Sequence, residues 1–275
     1  MISTPSVIEK NLNVIKKRII SFKNSDIDLE SIIKNFLSKE SKMIRSKISC
    51  LFFEGDIVEE QYKIMAATEL IHNASLIHDD TIDGSLIRRG ESSVNNTYGS
   101  KFAVIAGDYL MSLAVKQLLE LNNNDILQIF MNAISKMCIG ESEQYFSKNK
   151  IPELDDYIKK SRYKTAELFN ACLTSMSLYS NKNPEDLGLN FGIAFQIKND
   201  LDDYRKGMDL SQDIKDGIYT APVILLNSVE YSETAIEKTL DLIDNYCRRA
   251  KFIINKMDNN KYKRCLTEII DNLCS

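Results

Sequence analysis

The 275-residue chain has no tryptophan, four prolines, ten glycines and two histidines. So few breakers leave little turn chemistry for a many-stranded protein and favour long helices with short polar connections. His72 and His78 sit six residues apart in one segment, so a three-histidine zinc site is excluded. Six cysteines (Cys50, Cys138, Cys172, Cys247, Cys265 and Cys274) stand singly with no CxxC pair. They read as reduced thiols of a cytoplasmic protein rather than a disulfide or zinc framework. The opening Met1-Ile2-Ser3-Thr4-Pro5 lacks the basic-then-apolar pattern of a signal peptide. No apolar run approaches the length of a membrane span, about 20 residues, so a soluble protein without a transmembrane segment is expected. Thirty-five basic and 39 acidic side chains give a net charge of -4 with no sustained basic stripe. No nucleic-acid partner is expected, and any phosphate chemistry has to be local.

Hydrophobic residues are 44% of the chain and charged ones 27%, enough to bury a sizeable core. Val7, Leu12, Ile15, Ile19 and Ile20 mark a first amphipathic helix, and a short second runs from Leu29 to Leu37 behind an Asp28 cap. Helical spacing continues over 61–83, 103–121, 126–146 and 154–179. Pro184 suits the first turn of a helix reaching Tyr204, and further helices cover 219–229, 234–257 and 262–273. Asn122-Asn123-Asn124 reads as a turn, Gly84 to Ser93 as a polar loop and Arg205 to Gly217 as a mobile polar loop. No strand, linker or repeat is evident, and one all-α domain over residues 1–275 is expected.

Two acidic clusters carry the chemistry. In His78-Asp79-Asp80-Thr81-Ile82-Asp83, residues four apart share a helix face, so Asp79 and Asp83 present carboxylates to one point while Asp80 lies about 100° around the helix. Taken alone, an acidic helix end is more often a solvated surface. Here it ends a long apolar helix and is followed at once by Arg88-Arg89-Gly90. A divalent cation with hard oxygen ligands would relieve the repulsion, and Mg2+ uses one or two carboxylates plus substrate phosphates. The second cluster, Asn199-Asp200-Leu201-Asp202-Asp203, comes about 120 residues later, again late in a helix. Asn199 and Asp203 share a face there. Two such helix ends packed together around a cavity would hold a diphosphate through bridging Mg2+.

Glu69-Leu70-Ile71-His72 through Asp79-Asp80-Thr81-Ile82-Asp83, Arg88-Arg89-Gly90 and Ala106-Gly107-Asp108-Tyr109-Leu110 resemble the first aspartate-rich region of the trans-isoprenyl diphosphate synthases, or polyprenyl synthetases. Gly140-Glu141 with Gln144, Lys164-Thr165-Ala166, Phe195-Gln196 with the second cluster, and Asp213-Ile214 with Thr220 and Pro222 continue the match in order over about residues 38 to 225. The resemblance implies a helical bundle around a central cavity, the isoprenoid synthase fold, and a Mg2+-dependent condensation of isopentenyl diphosphate with an allylic diphosphate. Small-molecule isoprenoid diphosphates are then the substrates, and a homodimer is the implied assembly.

By the same resemblance Asp79, Asp83, Asn199, Asp200 and Asp203 hold metal, and Asp79, Asp80, Asp83, Lys164 and Gln196 carry catalysis. Lys42, Arg45, His72 and Arg89 match the isopentenyl diphosphate site; Arg88, Lys164 and Thr165 match positions near the allylic diphosphate. Alone, His72 would be an ordinary core histidine and Lys42 a surface charge. His78 reads as structural and Gln144 as part of the cavity wall. Ala74 and Ser75, one turn or about 5.4 Å before Asp79, occupy the chain-length positions. Their small size implies a product longer than C15, unless Met65 or Leu70 closes the channel deeper.

The pattern breaks in four places. Asn199 stands where the family has aspartate, keeping an acceptor oxygen but losing a charge. Met43 stands for an arginine and Ile218 for a lysine, and the loop from Arg205 to Gln212 is short. Arg205, Lys206 or Lys215 are candidates to restore the missing charge. Peptide prenylation of the competence-pheromone type and a non-catalytic subunit of a heteromeric synthase stay as alternatives. Cyclisation is disfavoured, because the cyclase pattern wants Ser or Thr at Asp203 and Glu at Gly207.

Overall fold

A computed structural model describes residues 4–21, 27–39, 41–207, 211–257 and 260–274, without the side chains of Ile27 and Gln212. Among these residues the chain is all-α apart from one two-residue strand pair. The helices are α1 (Ser6–Ile19), α2 (Ile27–Ser38), α3 (Ile44–Phe52), α4 (Glu59–Ile82), α5 (Val94–Tyr98), α6 (Ser100–Leu119), α7 (Asn124–Phe146) and α8 (Leu154–Ser161). A π-helical turn over Arg162–Ala166 leads into α9 (Glu167–Ser177). Then follow α10 (Leu187–Tyr204), α11 (Gln212–Lys215), α12 (Ala221–Leu226), α13 (Glu233–Asn255) and α14 (Lys263–Asp271).

The chain divides into two compact units. The N-terminal unit is Ser3–Gln128 with Leu178–Asn181, and the C-terminal unit is Ile129–Ser177 with Lys182–Ser275. In the first, α4 is interior along most of its length and packs on α6. Gly107 of α6 makes the approach possible: a Cβ there would lie 2.2 Å from His78 Nε2, so the imidazole fills that space. In the second, Gly188 and Gly192 let α10 approach α9 and the π turn; a Cβ on Gly192 would lie 2.4 Å from Ala166 Cα. Phe169, Phe191 and Phe195 pack beside this contact with centroids 5.2 to 6.0 Å apart. Fully burying the Phe169 and Phe191 rings contributes about 1.5–3 kcal/mol each, and the half-buried Phe195 less.

Several expectations about elements need correction. Val7 is exposed, and the inward face of α1 is Ile8, Asn11, Ile15 and Ile19. Asp28 lies inside the first turn of α2 rather than capping it. Helix α3 was not expected, because no capping side chain announces it: it starts from Met43 in left-handed conformation (φ 42°). The 84–93 loop contains β1 (Ile87–Arg88) paired antiparallel with β2 (Glu91–Ser92). Arg89 (φ 52°) and Gly90 (φ 77°) form its two-residue turn, the all-positive geometry that suits a tight hairpin. The stretch 154–179 is interrupted by the π turn, and Pro184 precedes α10 in a turn, accepting from the Leu187 N–H. The 205–217 segment contains α11; Met208 to Leu210 of its short-loop reading lie outside the described residues. The twenty-residue helix α6 is, by length and composition alone, apolar enough to cross a membrane, which the sequence reading did not expect. Its Ala103, Ala106, Gly107, Leu110, Ala114 and Leu118 are buried within the N-terminal unit.

Candidate active site

Within the N-terminal unit four of the expected anion-binding residues, Arg45, His72, Arg88 and Arg89, come together along the second half of α4. Asp80 is 1% exposed, and Arg88 of β1 donates to both its oxygens, Nε at 2.9 and 3.0 Å with Nη2 also on Oδ1. That hydrogen bond raises the Arg88 pKa, fixing its positive charge. Arg89, held at positive φ by the hairpin, donates to Asn73 Oδ1 at 3.2 Å and lies over the Phe36 ring. Burial, and then the nearby Arg88, lower its pKa. Arg45 of α3 is buried, and the neighbouring Ser46 donates through Oγ to the buried Glu69 of α4 at 2.7 Å. Burial pushes the Glu69 carboxyl up, while Ser46, Arg45 and Arg89 oppose it. His72 is held well below the ordinary histidine value by burial first and then by Arg45, Arg89 and Arg88. Three arginines around a neutral imidazole form a site short of negative charge.

Asp79 and Asp83 close α4, with the Asp83 N–H donating to the Asp79 carbonyl at 2.8 Å. Lys42 is exposed, and no described contact ties it to the arginines. Met43 is buried instead, beside Glu69 and Asn73 in a small cleft. His78 packs over Gly107, 3.4 Å from Asp108 Oδ1. Ala74 is fully buried, whereas Ser75 is half-buried with its hydroxyl on the His72 carbonyl at 2.9 Å.

The C-terminal unit assembles its candidates into a relay. Thr165 donates to Gln196 Oε1 at 2.5 Å, and Gln196 Nε2 donates to Asp200 Oδ1 at 2.7 Å. Tyr157 donates to Asp200 Oδ2 at 2.6 Å. Burial raises the Asp200 carboxyl against the pull of these donors and of Lys160 and Lys164. Lys164, displayed by the π turn, pairs with Glu141 at 2.6 Å. Such turns recur at functional sites. Burial pushes the Asp203 carboxyl up, but Lys206, Ser211 and the Asp213 N–H together hold it below the usual range. Asp213 is pushed up to about 7 by burial and by Asp200 and Asp203. Asn199 is exposed. Gln144 lines a cleft of about 410 Å³ in this unit with Tyr157 and Ile218. Of the candidates for the missing charge, Arg205 pairs with Asp202, Lys206 with Asp203, and Lys215 is exposed.

Among the described residues no three histidine, cysteine or acidic side chains come together as a closed metal cage. The donors present still fit a hard divalent cation. Asp79 and Asp83 stand at the negative end of the α4 dipole, and Mg2+ takes one or two carboxylates and completes its shell with water and phosphate oxygens. The second cluster offers oxygens of the same kind, already shared with hydroxyl, amide and ammonium donors. Sequence reasoning missed Tyr157, Asn73 and Lys160. Tyr157 meets Asp200 across 43 residues, so no local pattern reveals it. Lys160 had a signal, one helical turn before Lys164.

The sequence matches the polyprenyl synthetase family over residues 27–269. A prenyl transferase of Cyanidium caldarium is 35% identical over 80% of this chain and 73% of its own length. The decaprenyl-diphosphate synthase of Dictyostelium discoideum is 29% identical over 89% of this chain, which spans 65% of that relative. Among solved structures, octaprenyl pyrophosphate synthase from Helicobacter pylori superposes with TM-score 0.82 at 28% identity, covering 97% of this chain and 99% of that one. A polyprenyl synthase from Caulobacter crescentus CB15, complexed with calcium and isoprenyl diphosphate, reaches TM-score 0.86 at 24% identity over 100% and 99% of the two chains. With this fold, these ordered motifs and these relatives, the chain belongs to the polyprenyl synthetase family and is a trans-prenyltransferase.

Proposed function

We propose that residues 1–275 act as one domain that condenses isopentenyl diphosphate, head to tail, with an allylic diphosphate in the presence of Mg2+, giving a product longer than C15. The observation that carries this reading is the Arg45, Arg88 and Arg89 set around neutral His72, in the same unit as the Asp79 and Asp83 carboxylates. It offers an anion site beside a cation site, as a reaction between two diphosphates requires. The allylic C–O bond breaks with its electron pair leaving on the diphosphate. The alkene of isopentenyl diphosphate then forms the new C–C bond, and loss of a proton, taken up by the released diphosphate, restores a double bond. When bound, Mg2+ neutralises the charge that builds on the departing oxygens.

Asp79 and Asp83, with Asn199, Asp200 and Asp203, serve as Mg2+ ligands in this reading. Arg45, His72, Arg89 and Lys42 bind isopentenyl diphosphate. Arg88, Lys164 and Thr165 serve the allylic diphosphate. Asp80 acts by orienting Arg88, and Gln196 by orienting Asp200. The names decaprenyl, octaprenyl and solanesyl among the relatives support a long product. The six free cysteines support a reducing compartment such as the cytoplasm. Exposed Val104, Ile105 and Leu119 on α6 support a homodimer, because they leave apolar side chains of this helix uncovered.

The test incubates purified protein with Mg2+, labelled isopentenyl diphosphate and a series of allylic diphosphates, with Asp79→Ala as control. Elongated diphosphates beyond C15 are expected. Cyclic hydrocarbon overturns the reading, and so does allylic diphosphate binding without turnover, which would favour peptide prenylation or a supporting subunit.

A further inference from the structure

The cations around the second cluster are nearly all committed. Lys164 pairs with Glu141, Lys198 and Arg205 pair with Asp202, and Lys206 pairs with Asp203. Lys160 differs: among the described residues its ammonium makes no ion pair and no hydrogen bond, and it lies 5.6 Å from the centroid of the Tyr157 ring. It is half-buried, and burial pulls its pKa down, with Asp200, Asp213 and Glu141 pulling the other way. A charge shielded from water without a hydrogen-bonded partner is costly, and an anionic ligand is what removes that cost.

Lys160 also opens onto free space. It lines the cleft of about 410 Å³ together with Gln144, Tyr157, Ile218 and Tyr219. Ile218, 8% exposed, is the apolar side chain standing where a lysine is expected by resemblance. One cleft therefore holds both Ile218, at the position where the resemblance implies a lysine, and a lysine that makes no ion pair or hydrogen bond among the described residues. Tyr157 connects this cleft to the second cluster, since its hydroxyl donates to Asp200 while its ring faces the Lys160 ammonium.

We propose that Lys160 is a diphosphate-binding residue, its ammonium donating to a diphosphate oxygen in this cleft and supplying the charge that Ile218 lacks. The assignment rests on the reading that the second cluster serves the allylic diphosphate. Lys160→Met is then expected to raise the KM for the allylic diphosphate about tenfold, while the KM for isopentenyl diphosphate changes less than twofold. Adding Ile218→Lys to that variant should recover most of the loss, and Lys150→Met, at an exposed rim position, should change neither constant.

A second measurement separates this proposal from the function it rests on. Inorganic pyrophosphate with Mg2+ should raise the melting temperature of the wild type but not of Lys160→Met, and the free variant should melt no lower than the wild type. If the wild type elongates nothing, the synthase reading fails, and the pyrophosphate shift alone decides the role of Lys160. Unchanged allylic KM, an equal pyrophosphate shift in both proteins, or a defect that neither Lys160→Arg nor Ile218→Lys repairs overturns the proposal.

Discussion

The two acidic clusters solve the same problem of like charges by different means. On α4, Asp80 turns inward and is neutralised by Arg88, leaving Asp79 and Asp83 at the helix end. On α10, the inward Asp200 meets no arginine; a tyrosine hydroxyl and a glutamine amide satisfy it, and Asn199 removes one charge altogether. The first arrangement concentrates negative charge where the proposed function places a cation, and the second spreads it over hydrogen bonds. The contrast teaches that a shared motif does not carry shared electrostatics: the residue types four apart are similar, but their partners come from elsewhere in the chain.

The largest test of this contrast removes one carboxylate from each side. Asp79→Asn is expected to cut kcat/KM by about 10³, equivalent to about 4 kcal/mol of transition-state stabilisation, whereas Asp200→Asn loses about tenfold less. Equal losses in a product-formation assay would show that the clusters are electrostatically equivalent and break the comparison. Next in size, Asp80→Ala leaves the half-buried Arg88 without its carboxylate and is expected to destabilise the fold by about 3 kcal/mol. Asp200→Ala should cost about 1–3 kcal/mol, since the groups that hydrogen-bond to it, the Tyr157 hydroxyl and the Gln196 amide, are neutral, and Lys160 and Lys164 act on it only through their charge. Denaturant titration measures both, and the reverse order would refute the assignment of ionic and hydrogen-bonded solutions.

Much of this was legible in the sequence, and the failures are informative. Helices α4 and α6 reveal themselves as long, proline-free stretches rich in apolar residues, α4 being buried on nearly every side from Ile64 to Ile71, and Asn123 announces α7 by accepting from the N–H groups of Asp125 and Ile126. Helix α3 hides because its entry depends on Met43 adopting a conformation few non-glycine residues take. The Arg88–Glu91 hairpin hides for the same reason, with Arg89 in the first turn position. The Asp79 and Asp83 pairing is local and follows from helix geometry. The Tyr157–Asp200 and Thr165–Gln196 bonds join different helices, so the sequence cannot display them.

Burial also sharpens the chain-length positions one turn before the first cluster. Ala74 has no exposed surface while Ser75 retains some, so, with these two as the proposed chain-length positions, Ser75 is the one with room for a ring. Ser75→Phe should shorten the product by one or more isoprene units on thin-layer analysis, and an unchanged product removes Ser75 from that role. Ala74→Phe should instead lower stability by about 1–3 kcal/mol through overpacking. On the α10 side, Asn199→Asp should lower the Mg2+ concentration needed for half-maximal activity about threefold to tenfold, narrowing the gap between the clusters. No change in that concentration would separate Asn199 from metal binding.

The smallest expected effect concerns the imidazole that the α4 side keeps neutral. Burial and three arginines hold the His72 pKa well below its unfolded value of about 6.5. Above that pH the group is neutral in both states, so its contribution to stability is fully present. As pH falls below 6.5 the unfolded chain takes up a proton that the folded one refuses, and stability declines by at most about 1.4 kcal/mol per pH unit until the folded value is reached. His72→Gln removes this titration while retaining a polar side chain of similar reach. The drop in unfolding free energy between pH 7.5 and pH 5.5 should therefore be smaller in the variant by about 1 kcal/mol. An identical drop in the two proteins would mean that His72 is protonated as readily folded as unfolded, which the surrounding Arg45, Arg88 and Arg89 make electrostatically unfavourable.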